Sequence, residues 1–328
     1  MRRFFIVTVC IVFGGFLFYA SRGLLTRGST SEDPVSFFIP KGAGLPRIAK
    51  IVEENNLAQS AMLFRLSVIV RGHASALKPG RYDLPGSISL GSLIDALRRG
   101  PRDIVFTITP GQSVREVDAG LASVALAARG DLLRFDTGRL PEKYSWLRNA
   151  AAKNILEGFL APDTYHFYPG ESLNDIVDAI LGNFERKVLP RIANRDTIIR
   201  TVTIASLLEK EVRSPYEGRI VAGIFARRLA AGVALQVDAT VLYARCGQYV
   251  ECLLTKRDYA RESPYNTYMN RELPPGPIAS PSLAAIEAAQ DPAVSDYWYY
   301  LTDPKTKNAV FAKTFDEHQK NRVTYLLR

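Results

Sequence analysis

Thr201–Ser214 reads TVTIASLLEKEVRS. At about 100° per residue, Ile204, Leu207 and Leu208 share one side of a helix, and Glu211 falls within the same apolar stripe. Glu209 points nearly the opposite way, one turn before Arg213, where a surface ion pair is expected. Pro215 disfavours helix at Ser214, so the helix ends there and Glu211 sits in its last turn. Carbonyl dipoles at that end and partial desolvation both oppose a negative charge and raise the carboxyl pKa. A general acid working near neutral pH needs such a shift. A glutamate at the rim of a core helix, reaching water or an arginine, fits the same pattern.

Immediately upstream, Asp175 to Val188 reads as an amphipathic helix. Before it, Leu156 to Tyr165 mixes aromatics, a proline, Glu157 and Asp163 with little regularity. Such segments line carbohydrate sites, where aromatic faces stack on sugars and carboxylates bind hydroxyls, and a loop packed on a core looks similar. Ile104 opens a strand. Pro85-Gly86-Ser87, Pro110-Gly111-Gln112-Ser113 and Pro169-Gly170-Glu171-Ser172 recur between strand-like and helix-like stretches, punctuation in the first instance. Ser113 with Glu116 has capping-box spacing. Val35 to Pro101 alternates short strands and helices (a strand at SFFIP, a helix over Leu45–Asn55, an apolar segment Met62–Val70, a strand in LKPGRYDLP), a small self-contained α+β module.

Downstream, Ile220 to Ala231 reads as a helix with Ile224, Phe225 and Leu229 inward and Gly232 ending it. In Leu235–Thr240, polar Gln236, Asp238 and Thr240 alternate with apolar neighbours, so an extended segment puts all three on one face, toward substrate or toward solvent. Cys246 and Cys252 bracket a short loop, and outside the cytoplasm a hairpin disulfide is expected. Leu273–Pro281 carries four prolines in an extended, rigid path that suits a groove wall. Ser282–Gln290 reads as a helix, Tyr297–Thr302 and Ala309–Lys313 as a hairpin, and Thr314 with Glu317 as the cap of a last helix.

The chain of 328 residues carries a formal charge of +9, spread without a concentrated basic stripe, so nucleic acid is not an expected partner. Arg2 and Arg3 precede an uncharged run from Phe4 to Ala20, at the short end of a membrane span. A cleaved signal peptide competes, but Phe18 stands where cutting after Ala20 needs a small residue. The expected order is a cytoplasmic tail (1–3), an anchor (4–20, with Cys10 inert in it) and a linker (21–34). There is no phosphate loop, nucleophile elbow or HExxH, and His73, His166 and His318 are far apart. Metal-free acid/base chemistry on a carboxyl group remains the leading option for an enzyme, with no metal and no cofactor.

Together LEGFLAPDTY, ASLLEKE, FARRLAAGVALQVDATVLYA, PYNTY, LPPGPIASP and FAKTFDEH resemble, in that order, the membrane-anchored endolytic murein transglycosylases, the MltG or YceG-like family. The likeness is strong from Leu156 onward and loose over Val35–Gly120. It implies an α+β fold: an N-terminal transmembrane helix, a small LysM-like carbohydrate-binding module (35–105) and a larger catalytic domain (106–328). Glu211, the second glutamate of EKE, takes the place of the family's essential acid. Gln236, Asp238, Asn266 and Tyr268 are expected substrate-binding residues, with Glu157 and Asp163 as further groove candidates. Peptidoglycan glycan strands are the implied substrate, in an inner-membrane, periplasm-facing lyase near penicillin-binding proteins. A hydrolytic muramidase and a non-catalytic glycan-binding scaffold are the alternatives. This chain has Asp238-Ala239-Thr240 where the family often has Asp-Pro-Thr. It also lacks the Gly-Gly-His that commonly precedes the last strand's Phe, here Phe311.

Overall fold

Residues 33–101, 103–148, 156–247 and 252–326 are described by a computed structural model. They form mixed α and β structure in two compact units, one reaching Ile104 and taking in His166–Glu171, the other made of the remainder from Val105.

In the first unit, alternation along β1 (Val35–Ile39) buries Phe37 and Ile39. β1 pairs antiparallel with β2 (Gly80–Leu84), placing Phe37 opposite Tyr82 with their rings stacked at 5.4 Å. Three helices, α1 (Leu45–Glu54), α2 (Ala61–Val70) and α3 (Leu90–Arg99), close the core around Ile48, Val52, Phe64, Leu93 and Ile94. The Ser60 and Ser89 side chains cap α2 and α3. Gly80 has φ +126°, and a Cβ there would lie 2.5 Å from the Pro101 ring and 3.0 Å from Tyr168. Tyr168 arrives on the returning segment His166–Glu171, which a division at 105/106 does not carry.

β3 (Ile104–Ile108) pairs with β4 (Asp163–Phe167), and the second unit takes these strands from Val105 and up to Tyr165. α4 (Val114–Ser123) opens on the Ser113–Glu116 capping box, and α5 (Leu173–Lys187) on Ser172. α6 (Ile198–Glu211) follows, with Val202, Ala205, Leu207 and Leu208 at most 1% exposed. It packs on α7 (Pro215–Ala230) and on α9 (Leu283–Gln290), while α8 (Asp238–Cys246) lies between them in sequence. Antiparallel β5 (Tyr299–Thr302) and β6 (Ala309–Ala312), then α10 (Phe315–Leu326) opened by Thr314 and Glu317, complete it. Cys246 and Cys252 form a disulfide.

Four readings are corrected. Glu209 makes no ion pair with Arg213; its carboxylate accepts from the Ser282 N–H at 2.8 Å and ties α6 to the start of α9. Leu156–Ala161 is a buried loop, Phe159 stacking edge-on to Phe184, because its aromatics fill core space. Within it Gly158 has φ +83°, and a Cβ would lie 2.4 Å from the Pro277 ring. Pro277–Pro281 is likewise interior: Ile278, Ala279 and Ser280 are fully buried, and the Ile278 N–H donates to Ser206 Oγ of α6 at 3.1 Å. Finally, Leu235–Thr240 is not a continuous strand: Gln236 breaks the extended path at φ +56°, Asp238 begins α8 and Thr240 is buried.

No helix among the described residues is long and apolar enough to cross a membrane. The tail (1–3), the apolar run Phe4–Ala20 with Cys10, and the linker up to Glu32 lie outside the described residues.

Candidate active site

Glu211 is the last residue of α6, half-buried, with Val212 already extended. The Tyr300 hydroxyl donates to Glu211 Oε2 at 3.0 Å, and Thr302 Oγ1 donates to the Glu211 carbonyl, one of the acceptors the helix end leaves open. Both come from β5. Burial pushes the Glu211 carboxyl up to about 7; the Tyr300 hydrogen bond opposes that rise and the nearby Asp238 carboxylate adds to it.

A cavity of about 820 Å³ opens in front of this carboxyl, within the range of about 300–1,000 Å³ common for small-ligand sites. Gln236, Asp238 and Tyr268 line it together with Glu211. Gln236 is exposed at φ +56°, its N–H held by the Thr267 carbonyl, which turns its side chain out of the packed row. Asp238 stands in the first turn of α8, where the helix N-terminus favours a negative charge. Tyr268 Oη donates to Asp238 Oδ1 at 2.6 Å, and the Tyr259 ring meets Tyr268 edge-on at 4.8 Å. Burial holds the Tyr268 and Tyr300 hydroxyls far above the ordinary tyrosine range, so both remain donors. On its other side Glu211 borders a second hollow of about 420 Å³, with Pro110, Lys210, Thr302 and Lys307. Glu211 therefore borders both hollows.

Asn266, Glu157 and Asp163 line neither space. Asn266 is fully buried, its amide donating to the Tyr259 and Arg261 carbonyls, and so shapes the loop that carries Tyr268. Glu157 is buried, accepting from the Val114 N–H and from Tyr243 Oη, both at 3.0 Å; burial pushes its carboxyl up to about 8. It joins the start of α4 to α8. Asp163 is held below the ordinary carboxyl range by Lys187, with Asn183 also donating to it.

Sequence reasoning missed Tyr300, Tyr259, Arg228 and His318, all of which line the cavity. An unbroken polar-aromatic run, Tyr297–Tyr300, was the available signal for Tyr300. Arg228 carried none, lying on the inward face of α7 beside Ile224 and Phe225.

The site thus holds one elevated carboxyl with a fixed phenol donor, beside a second carboxylate held by tyrosines, which is acid/base equipment. The chain matches the YceG-like family model over residues 37–324 and belongs to that family. It is 31% identical over 333 residues to an endolytic murein transglycosylase of Bacillus subtilis (strain 168), covering 96% of this chain and 91% of that protein. A Streptococcus pneumoniae protein of the same name is 27% identical over 351 residues; 97% of this chain matches, spanning 63% of that relative. A crystal structure of a YceG-like protein from Listeria monocytogenes aligns with a TM-score of 0.60 at 28% identity, over 89% of this chain and 100% of that one.

Proposed function

We propose that this protein is an endolytic peptidoglycan lytic transglycosylase in which Glu211 acts first as general acid and then as base. The observation that carries the reading is a carboxyl raised to about 7 on a residue that lines two hollows. Near neutral pH such a group is present in both protonation states, as a residue that must give and retake one proton requires.

With Tyr300 donating to Oε2, Oε1 is the oxygen that carries the proton. It passes to the oxygen of the β-1,4 bond between MurNAc and GlcNAc as the C1–O bond breaks. Positive charge then develops at C1 and the ring oxygen, and Asp238, with Tyr268 and Gln236 beside it, stabilises that sugar. The MurNAc 6-hydroxyl closes on C1, its proton returning to Glu211, and a 1,6-anhydro end is left. No water is consumed, so none has to be activated by a second carboxylate, unlike ordinary glycoside hydrolysis. General acid catalysis contributes ~10²–10⁴-fold.

A span at 4–20 and a short tether would hold the catalytic unit at the periplasmic face of the inner membrane. There it would meet newly made strands, near penicillin-binding proteins, and terminate their elongation. The β–α–α–β order of the first unit, ahead of the catalytic one, supports a LysM-like, glycan-holding role for it.

Digestion of purified glycan strands by the wild type and by Glu211→Gln, with product masses, tests the reaction. Anhydro ends from the wild type alone are expected. Products heavier by one water would make it a muramidase, and equal cleavage by Glu211→Gln would remove Glu211 from the chemistry. No cleavage by either protein would leave a binding scaffold.

A further inference from the structure

The groups lining the larger cavity fall into two sets. Glu211, Asp238, Tyr268 and Tyr300 interact with one another, as described above. The other set is two arginines and a histidine: Arg228 on α7, with His318 and Arg322 one turn apart on α10.

Arg228 is 6% exposed. Its Nε donates to the Trp298 carbonyl at 2.9 Å, its Nη1 to the carbonyls of Ala234 and Leu235, and its guanidinium lies 5.2 Å from the Tyr299 ring centre. Among the described residues no carboxylate lies within ion-pair distance of it, and Nη2 takes no protein acceptor. A guanidinium so deeply set is costly unless its charge is answered. Glu211 does not answer it, because the influences on that carboxyl are burial, Tyr300 and Asp238.

His318 stacks on the same Tyr299 ring at 5.3 Å, with its Nδ1 enclosed and unpartnered. An enclosed nitrogen without an acceptor is a poor place for a proton, so the neutral ring carries its N–H on Nε2. Burial first, then Arg322 and Arg228, depress its pKa, which keeps the ring neutral. Arg322 is exposed, and among the described residues its hydrogen bond is to Gln319 Oε1, at 3.3 Å. Two guanidinium groups and an imidazole donor on the wall of one cavity, without an acid among them, form a receptor for a planar anion.

We propose that Arg228, Arg322 and His318 form a carboxylate subsite, which holds the anionic group carried on the C3 lactyl ether of the MurNAc residue. That group is the lactyl carboxylate of a bare strand or a carboxylate of its stem peptide. The inference rests on the glycan-cleaving reading of the cavity and names what distinguishes its substrate from an uncharged glycan.

Binding by the full-length Glu211→Gln protein, which reads the subsite without cleavage, tests it. The probes are peptide-bearing strands and peptide-free strands, each untreated or with carboxyl groups converted to amides. Amidation is expected to weaken binding roughly tenfold or more, the scale of a charge-assisted contact. Arg322→Gln in the same background, at an exposed position, is expected to remove most of that difference while leaving amidated strands bound as before. Arg228→Gln, checked for folding by thermal melting, is expected to behave likewise. Discrimination seen on peptide-free strands assigns the lactyl carboxylate; discrimination only on peptide-bearing strands assigns the peptide. Equal binding of untreated and amidated strands, or an arginine effect equal on both, overturns the subsite. Absence of anhydro products from the wild type would instead refute the lyase reading alone.

Discussion

The Tyr300 hydroxyl donates to Glu211 Oε2 at 3.0 Å across 89 residues of sequence. This bond favours the charged carboxylate, whereas burial favours the neutral acid, and the outcome near 7 shows that burial wins without silencing the group. Glu211 is therefore poised rather than locked in one state, and its neighbours set where it titrates.

Tyr300→Phe removes the donor while keeping the ring. The carboxyl loses its opposing influence and titrates higher, so the alkaline limb of kcat/KM moves up by as much as about one pH unit. A pH–rate profile on glycan strands checks this; a limb that moves down contradicts it.

Asp238→Asn acts in the other direction. It removes the negative neighbour that raises Glu211 while leaving an oxygen for Tyr268 to donate to. The alkaline limb should move toward lower pH, with a lower maximal rate because charge on the sugar is less well opposed. A profile unmoved from wild type would place Asp238 outside the electrostatics of the acid.

Glu211 was legible in the sequence because its signals are local: a stripe through Leu207 and Leu208, and a proline four residues on. Gln236 and Asp238 were singled out by alternation with Leu235 and Val237, though the extended backbone that alternation assumes is broken at Gln236 (φ +56°) and misread Thr240, which turns inward once α8 begins. Tyr300, Arg228 and His318 reach the cavity from β5, α7 and α10, and no periodicity within one segment reveals such a convergence. Glu157 looked like a groove residue because a carboxylate among aromatics has that composition, and Asn266 was expected there beside Tyr268 in PYNTY. Both are instead consumed by buried backbone groups that require a partner.

Glu157 predicts a pH effect on stability separate from catalysis. Its carboxyl titrates at about 8 when folded, against 4.5 ordinarily, so between those values the native state keeps a proton that the unfolded chain has lost. Stability from this group consequently falls as pH rises through that window, by at most about 1.4 kcal/mol per pH unit. Glu157→Gln retains an acceptor for the Val114 N–H and removes the titration. Urea midpoints at pH 5 and pH 8 should show the variant gaining on wild type as pH increases, and parallel changes would contradict the assignment.

Reduction of Cys246–Cys252 reopens a loop with a sequence separation of 6 at the end of α8. Loop closure of this length contributes roughly 2 kcal/mol, so thermal melting with and without reductant should show a lower midpoint after reduction. An unchanged midpoint would mean that this end of the helix melts without affecting the remainder.

The most direct measurement is a titration of the Glu211 carboxyl itself, by infrared difference spectroscopy of its C=O stretch in wild type against Glu211→Gln. A midpoint near about 7 is predicted. Titration at the ordinary glutamate value of 4.5 would leave the group ionised at neutral pH and contradict its role as the proton donor.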